Sequence, residues 1–242
     1  MAWSKDSIVH LLEVDSTNCY VRDEAATLWQ NRGISDFAVV TAGHQTAGRG
    51  QRGNTWNSNA GENLLFSILV RPGETLEVSK QFLLSQAVAL SIHDAMKCHG
   101  IETQLKWPND IYAGNRKLAG ILLELDYSGA FVEQAIIGIG LNVNQENFPP
   151  MDRVPVSMKM LRERDFTLDD VLATVLDFFE HYYTELRFGH RDAIAAEYKR
   201  VLLGMNERHT FIDRDGHFDA VIEDVESDGR LILRRNEGST GS

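Results

Sequence analysis

The sequence has few cysteines, no long apolar run and a deficit of basic residues. Only Cys19 and Cys98 occur among 242 residues, without a C-x-x-C pair or the spacing of a zinc site, which excludes a disulfide scaffold and a structural zinc centre. The apolar run at residues 8–12 is too short for a secretory signal or a membrane span. We therefore expect a cytoplasmic protein with free thiols and no membrane partner.

Charge excludes a second class of function. Lysine and arginine number 24 against 35 aspartates and glutamates, so the formal net charge is −11, which opposes non-specific attraction to nucleic acid. Basic residues nevertheless gather in the most distinctive segments, at His44, Arg49, Arg52, Lys106, Arg116 and Lys117. A local anionic ligand is the simplest reason for that clustering.

The remaining composition, 43% hydrophobic and 24% charged, is that of a globular protein with one large core. Apolar runs of β type predict strands at residues 37–42, 64–70, 117–125 and 131–143, with two shorter ones within 104–112. Helical patterns cover residues 20–30, 78–99, 167–188 and 192–203. The strands after residue 100 form an antiparallel meander, which excludes the parallel sheet of a doubly wound fold.

The pattern changes near Met205. Short strands are predicted at residues 210–212, 218–225 and 230–233, and Asp-Gly pairs between them are typical of hairpin turns. We expect a first domain at residues 1–204 and a small β domain at residues 205–242. Three strands are too few to close a barrel, so the last residues, 236–242, are expected to form a turn before a strand that this chain lacks.

Residues 48–53 satisfy the pattern G-x-G-x-x-G, but a strand follows them where a dinucleotide-binding fold requires a helix. Glycine lets backbone N–H groups turn toward an anion, and Arg49 and Arg52 add positive charge. The loop therefore suits a phosphate or carboxylate. A solvated hairpin loop is the alternative, since glycine and asparagine are common in turns.

Four further positions leave alternatives open. Lys117 begins an apolar strand, so its ammonium either meets a carboxylate or a phosphate held by the glycine-rich loop, or snorkels from an edge strand. Asp110 is either a turn-capping residue or an oxygen ligand of Mg²⁺. Gly138 and Gly140 interrupt an apolar strand, which indicates the close approach of a ligand or a β-bulge.

Together these segments resemble the biotin protein ligases over roughly residues 10–145. The runs Lys-Trp-Pro-Asn-Asp at 106–110 and Arg-Lys-Leu-Ala-Gly-Ile at 116–121 are highly specific to that family. The resemblance implies a catalytic domain of α/β (α+β) class, in which flanking helices cover a mixed sheet like that of the class II synthetases and lipoate ligases. A small SH3-like β unit would follow it.

The resemblance also implies two half-reactions. Biotin, the substrate, and ATP with Mg²⁺ would give biotinyl-5′-AMP and pyrophosphate, and a lysine of a biotin carboxyl carrier protein would then take the biotinyl group. Because both reactants of the first step are anionic, Arg49, Arg52 and Lys117 are the expected catalytic residues, with Mg²⁺ offsetting further charge. Asp110 would bind the Mg²⁺.

The resemblance assigns binding roles in the same way. The expected biotin-binding residues are Ser16, Thr17, Asn18, Gln45, Trp56, Lys117, Gly120, Leu122, Gly138 and Gly140. The expected nucleotide-binding residues are Gly48, Arg49, Gly50, Gln51, Arg52, Lys106, Asn109 and Asn142. Ser16, Thr17 and Gln45 would hydrogen-bond the ureido head of biotin, and Trp56 would wall its pocket.

The chain departs from the family pattern at Gln51, where an arginine is usual and where a neutral amide cannot make a bidentate charged contact. No winged-helix module is expected before Ile8, which indicates a ligase-only form without DNA binding. A homodimer is expected by analogy with relatives. The rival functions are a lipoate or octanoate protein ligase and a non-catalytic regulator that binds biotin or a nucleotide.

Overall fold

The computed structural model describes residues 3–33, 35–150 and 153–235. Within them, eight strands form one sheet in the spatial order β1-β2-β3-β8-β7-β6-β5, with β4 paired to β8. Their bounds are β1 Ile8–Leu11, β2 Phe37–Ala42, β3 Leu64–Val70, β4 Gly73–Glu77, β5 Gln104–Lys106, β6 Asp110–Ala113, β7 Arg116–Ser128 and β8 Phe131–Leu141. Strands β1 and β2 are parallel and the other pairs antiparallel, which confirms the mixed sheet.

Helices cover both faces of this sheet. They are α1 Thr17–Asp23, α2 Ala25–Asn31, α3 Phe82–Cys98, α4 Met158–Arg162, α5 Leu168–Arg187 and α6 Arg191–Arg200. On one face, Phe66 and Ile68 of β3 join the main core with Leu84 of α3. On the other, Leu69 packs with Val21 and Leu28 of α1 and α2, so successive residues of β3 serve opposite layers.

The helix predicted at residues 20–30 is two helices that meet at Glu24, whose φ of −101° and ψ of 11° are not helical. Neither glycine nor proline marks that break, so the sequence offered no reason to expect it. Strands β1 and β4 and helix α4 were also not predicted. Among the described residues, no helix has the length and apolar character needed to cross a membrane.

The C-terminal strands are β9 Arg208–Asp213, β10 Gly216–Val225 and β11 Leu231–Arg235, which form a separate three-stranded antiparallel sheet. Ile222 and Val225 of this sheet join the main core, and Trp107 Nε1 donates a hydrogen bond of 2.9 Å to the carbonyl of Gly229. The boundary at residues 204/205 stays a prediction. The terminal turn predicted at residues 236–242 lies outside the described residues.

Candidate active site

Four neighbouring strands of the sheet build the floor of the candidate site. Gly140 of β8 is opposite Gly120 of β7, which is opposite Asp110 of β6. Residues in register on adjacent antiparallel strands point to the same face, so two glycines and one carboxylate form a row. The next row along the strands is Ser67, Gly138 and Leu122.

The glycines of β8 are required by close packing, not by an irregular strand. Pairing with both neighbours is regular through Gly138 and Gly140, so the alternative of a β-bulge is wrong. A Cβ atom at Gly138 would lie 2.3 Å from Asn18 Oδ1, and one at Gly140 would lie 2.3 Å from Trp56 Cε2. Any larger residue would displace these two side chains, and both line the cavity above the sheet.

A bulge does occur between β6 and β7, and it places Lys117 on the cavity face. Ala119 is opposite Ile111, but Lys117 is opposite Tyr112, so Leu118 is the extra residue. Strict alternation would put Lys117 on the face opposite to that of Gly120, three residues on. With the bulge, Lys117 Nζ lies 3.1 Å from the position of a Cβ at Gly120, and Leu118 is buried in the core.

Lys117 meets the carboxylate of Asp110. Its Nζ is 2.7 Å from Asp110 Oδ1, and Arg153 Nη1 is 2.5 Å from Asp110 Oδ2. Asp110 is only 4% exposed, a degree of burial that a carboxylate tolerates when it is paired. Of the two alternatives for Lys117, the structure has the carboxylate partner, but β6 supplies that carboxylate and not the glycine-rich loop.

The same contacts argue against Asp110 as a Mg²⁺ ligand, a role that stays a prediction. Each oxygen of Asp110 already faces a cation, so a metal ion there would be the third cation on one carboxylate. The turn-capping alternative is wrong, because Asp110 is the first residue of β6 and pairs with Gly120.

A network of uncharged groups lies at the other end of the floor. Gln45 Oε1 accepts hydrogen bonds from Thr17 N at 2.7 Å and from Thr17 Oγ1 at 3.1 Å. Ser67 Oγ lies 2.7 Å from Thr17 Oγ1 and 2.6 Å from Asn18 Oδ1. Ser67, which the sequence analysis missed, is the lone hydroxyl in an otherwise apolar strand. That exception to the pattern was its detectable signal.

Glu124 joins this network to the glycine-rich loop. It accepts a hydrogen bond of 2.8 Å from Asn18 Nδ2, and Arg49 Nη2 lies 3.1 Å from its other oxygen. The Cys19 sulfur, 3.6 Å from Arg49 Nη1, and then the Glu124 carboxylate raise the pKa of Arg49. Glu124 was missed as well, although an acidic residue in an apolar strand was a usable signal.

The glycine-rich loop contains no long helix, as predicted, and its two sides are hydrogen-bonded to each other. Trp56 N donates to Gly48 O at 3.0 Å and Gly50 N donates to Asn54 O at 2.7 Å, with a single 3₁₀ turn, Gln51–Gly53, at the tip. A Cβ at Gly48 would lie 2.4 Å from Trp56 O, so glycine is needed for closure. Arg49, Gly50, Gln51 and Arg52 of this loop line the cavity, so both predicted arginines reach it.

These elements enclose a cavity of about 300 Å³. All but three of the predicted biotin-binding, nucleotide-binding and metal-binding positions line it, together with Arg153, Trp107 and other residues that were not predicted. Asn142 lines an adjoining cavity of about 650 Å³, which shares Trp56, Lys117 and Arg153 with the first. Gly48 is also outside the lining of the first cavity, and it lies against the backbone of Trp56.

Lys106 is the third predicted position outside this lining, and its nucleotide-binding role stays a prediction. Its Nζ lies 4.7 Å from the centre of the Tyr112 ring and 3.5 Å from the Tyr112 hydroxyl. A lysine over an aromatic face is stabilised by the ring quadrupole. In this structure Lys106 therefore has a local partner within its own hairpin.

Comparisons with known proteins agree with this arrangement. The chain is 30% identical over 211 residues to the bifunctional ligase/repressor BirA of Bacillus subtilis, which covers 86% of this chain and 65% of that relative. It is 39% identical over 137 residues to the biotin--[acetyl-CoA-carboxylase] ligase of Paracoccus denitrificans, covering 55% of this chain and 53% of the relative. The chain thus spans less than two thirds of the length of these curated relatives.

A solved structure is similar over nearly the whole chain. The biotin protein ligase from Aquifex aeolicus, in complex with biotin and ATP, superposes with a TM-score of 0.79 at 25% identity, covering 96% of this chain and 93% of that one. The profile of the biotin/lipoate A/B protein ligase family matches residues 14–142, a segment that holds nearly the whole cavity floor. The chain belongs to the biotin/lipoate A/B protein ligase family.

Proposed function

We propose that the chain is a biotin protein ligase that uses ATP to convert biotin to biotinyl-5′-AMP and transfers the biotinyl group to a lysine of a biotin carboxyl carrier protein. One observation carries the proposal: a single cavity has an uncharged hydrogen-bonding end at Thr17 and Gln45 and a cationic end at Lys117. Biotin has the matching polarity, with a neutral ureido head and an anionic carboxylate tail.

The uncharged end suits the ureido head. A cyclic urea has two N–H donors and one carbonyl acceptor, and side-chain amides and hydroxyls can serve both kinds of group. Thr17, Gln45 and Ser16 line this part of the cavity. The floor at Gly138 and Gly140 would lie beside the apolar rings and chain of biotin. Leu122, which is opposite Gly138, would add to that floor, and Trp56 would form the wall.

The cationic end suits the reaction. In the first step a carboxylate oxygen of biotin attacks the α-phosphorus of ATP, and pyrophosphate leaves. Lys117, Arg49 and Arg52 would face the negative charge shared by the reactants, which lowers their repulsion. In the second step the carrier's lysine amine attacks the acyl carbon and AMP leaves. Neither step needs a side-chain nucleophile from this chain, and none is assigned.

The macromolecular partner and the compartment belong to the same proposal. A relative that is 39% identical over its matched region is named as a biotin--[acetyl-CoA-carboxylase] ligase, which supports a carboxylase carrier domain as the acceptor. Two free cysteines fit a reducing cytoplasm. We also propose that the chain binds no nucleic acid, consistent with its net charge of −11, and that it pairs as a homodimer.

The rival functions differ in the ligand that they use. A lipoate or octanoate ligase shares the acyl-adenylate chemistry but needs no partners for a ureido head. A regulator binds its ligand without turnover. The network of Thr17, Gln45 and Ser67 favours biotin, because its amide and hydroxyl groups can exchange hydrogen bonds with a ureido head, whereas a fatty acyl chain has no polar group to offer them.

The decisive experiment measures pyrophosphate release from ATP, in magnesium buffer, with biotin, lipoate or octanoate as the acid. Of the three acids, we expect only biotin to cause pyrophosphate release. We also expect transfer of biotin to a purified carrier domain, which mass spectrometry detects. Release with lipoate or octanoate but not biotin would establish the rival ligase. Biotin binding by calorimetry without pyrophosphate release would establish the regulator.

A further inference from the structure

Arg153 is a cation of the site that neither the sequence pattern nor the family resemblance assigned. It lies on the irregular segment between β8 and α4, and its side chain is 57% exposed. Its guanidinium nevertheless reaches into the cavity and contacts the buried carboxylate of Asp110 at 2.5 Å. An exposed arginine that reaches a nearly buried carboxylate is a candidate for a defined role.

The backbone beside Arg153 is joined to the strand that carries Lys117. Lys117 N donates to Val154 O at 2.9 Å, and Val156 N donates to Lys117 O at 2.9 Å. Pro155 is therefore paired with Lys117 as an isolated bridge. These two hydrogen bonds, one on each side of Pro155, fix the distance between the segment that carries Arg153 and strand β7. Arg153 and Lys117 therefore reach Asp110 from two neighbouring segments of backbone.

The two cations use different oxygens of the same carboxylate. Lys117 Nζ faces Oδ1 and Arg153 Nη1 faces Oδ2. If Lys117 turned to an anionic ligand while Arg153 was absent, Asp110 would be left as a buried charge without a partner, which is strongly unfavourable. With Arg153 in place, Asp110 keeps a cation whichever way Lys117 points.

We propose that Arg153 is a positioning residue that holds Asp110, so that Lys117 is free to leave this carboxylate and face the anionic reactants. The inference rests on the proposed function, since it names the step in which Lys117 is needed. Arg153 itself acts through Asp110 and Lys117. Its loss would strengthen the hold of Asp110 on Lys117 and slow adenylation, with little effect on the distant ureido end.

The test compares Arg153→Gln, Arg153→Lys, Asp110→Asn and the double variant Arg153→Gln/Asp110→Asn with wild type, in pyrophosphate release at saturating ATP. We expect Arg153→Gln to lower kcat about tenfold, less than direct loss of a charge stabiliser, while KM for biotin stays within about twofold. Arg153→Lys should recover most of the rate. Arg214→Gln, a control at a highly exposed arginine of the small sheet, should match wild type.

The double variant decides between mechanisms. A neutral amide at position 110 would not hold Lys117, so adding Arg153→Gln to Asp110→Asn should cost almost nothing, a non-additive result. The double variant has no carboxylate at position 110 that could be left without a cation, which keeps the test usable if Arg153→Gln alone unfolds. A full tenfold loss on top of Asp110→Asn, or wild-type kcat in Arg153→Gln, would overturn the proposal. An inactive wild type would instead refute the proposed function.

Discussion

The two ends of the cavity use opposite strategies. At the uncharged end, Thr17, Gln45 and Ser67 satisfy one another through hydrogen bonds of 2.7 to 3.1 Å. At the charged end, Lys117 and Arg153 share the single carboxylate of Asp110. A ligand must replace existing hydrogen bonds at the first end, whereas at the second it meets positive charge that is only partly neutralised.

This difference separates selectivity from reactivity. An uncharged network discriminates by geometry, because a ligand that displaces its internal hydrogen bonds without offering the right donors and acceptors leaves buried groups unpaired. A cationic end stabilises the negative charge of any anionic reactant, so it contributes to the rate more than to selectivity. Four cations, Lys117, Arg153, Arg49 and Arg52, line the cavity with one lining carboxylate, Asp110, although the chain as a whole has a net charge of −11.

The largest expected effect comes from breaking the charged end. Lys117→Ala should lower the rate of adenylation about a hundredfold or more, the usual scale for losing a charge stabiliser, while biotin affinity should change less. Single-turnover pyrophosphate release and calorimetry with biotin measure the two quantities. Lys97→Ala, at an exposed lysine near the end of α3, is the matched control. Equal rates in Lys117→Ala and wild type would show that Lys117 does not stabilise the charge of the adenylation step.

Strengthening the charged end should give the next largest change. Gln51 is a neutral residue among the cavity cations, and a charged hydrogen bond is worth about 1.5–3 kcal/mol, or roughly one to two decades of off-rate. Gln51→Arg should therefore slow the escape of pre-formed biotinyl-adenylate and reduce self-biotinylation. Indistinguishable off-rates would show that the side chain at position 51 does not reach the phosphate.

A substitution at the uncharged end should have the opposite pattern of effects, changing biotin affinity more than the rate. Gln45→Ala removes the acceptor of two Thr17 hydrogen bonds, and at about 1 kcal/mol for each bond we expect a rise of roughly tenfold or more in the Kd for biotin. The rate at saturating biotin should change little. A fall in that rate as large as in Lys117→Ala would mean that the two ends do not act separately.

A smaller effect concerns the free energy of unfolding at low pH. It tests whether the loss of stability comes from the cavity or from the hydrophobic core. Burial lowers the pKa of His93, with Asp94 raising it and Arg200 lowering it further, and the ring is hydrogen-bonded to Thr103 at 2.9 Å. Since the folded state favours the neutral ring, this stability is present above the unfolded pKa of about 6.5 and is lost as pH falls below it.

Denaturant unfolding between pH 7.5 and 5 measures that loss directly. His93 lies in helix α3 and is not among the residues that line the cavity, so a loss that depends on His93 belongs to the core. A His93→Gln variant should show a shallower decline in the free energy of unfolding than wild type. The same slope in both proteins would assign the acid sensitivity to other groups.

Much of the fold followed from local patterns. Strands β2 and β3 were predicted because their residues are apolar and flanked by turn residues, and the C-terminal hairpins because Asp-Gly pairs mark the bends. Helices were less well bounded: α1 and α2 pack against the sheet through Val21 and Leu28, and no helix-breaking residue marks the break between them at Glu24. Local propensity does not contain that tertiary contribution.

The sequence predicted which residues line the cavity better than it predicted their interaction partners. Lys117 was recognised as a lysine that needed a partner, but only the sheet register shows that Asp110 supplies it. Ser67 and Glu124 each broke an apolar pattern and could have been found. Arg153 stands in an irregular segment where an arginine is unremarkable, so no pattern of sequence could reveal its approach to Asp110.

The extra residue Leu118 makes the phase of β7 a property of its pairing. Any apolar side chain of similar size could fill the core at that position. If the bulge were lost and all four residues from Lys117 to Gly120 paired regularly, the lysine and the glycine would lie on opposite faces of the sheet. For redesign of this cavity, the bulge is therefore as much a determinant of chemistry as the lysine itself.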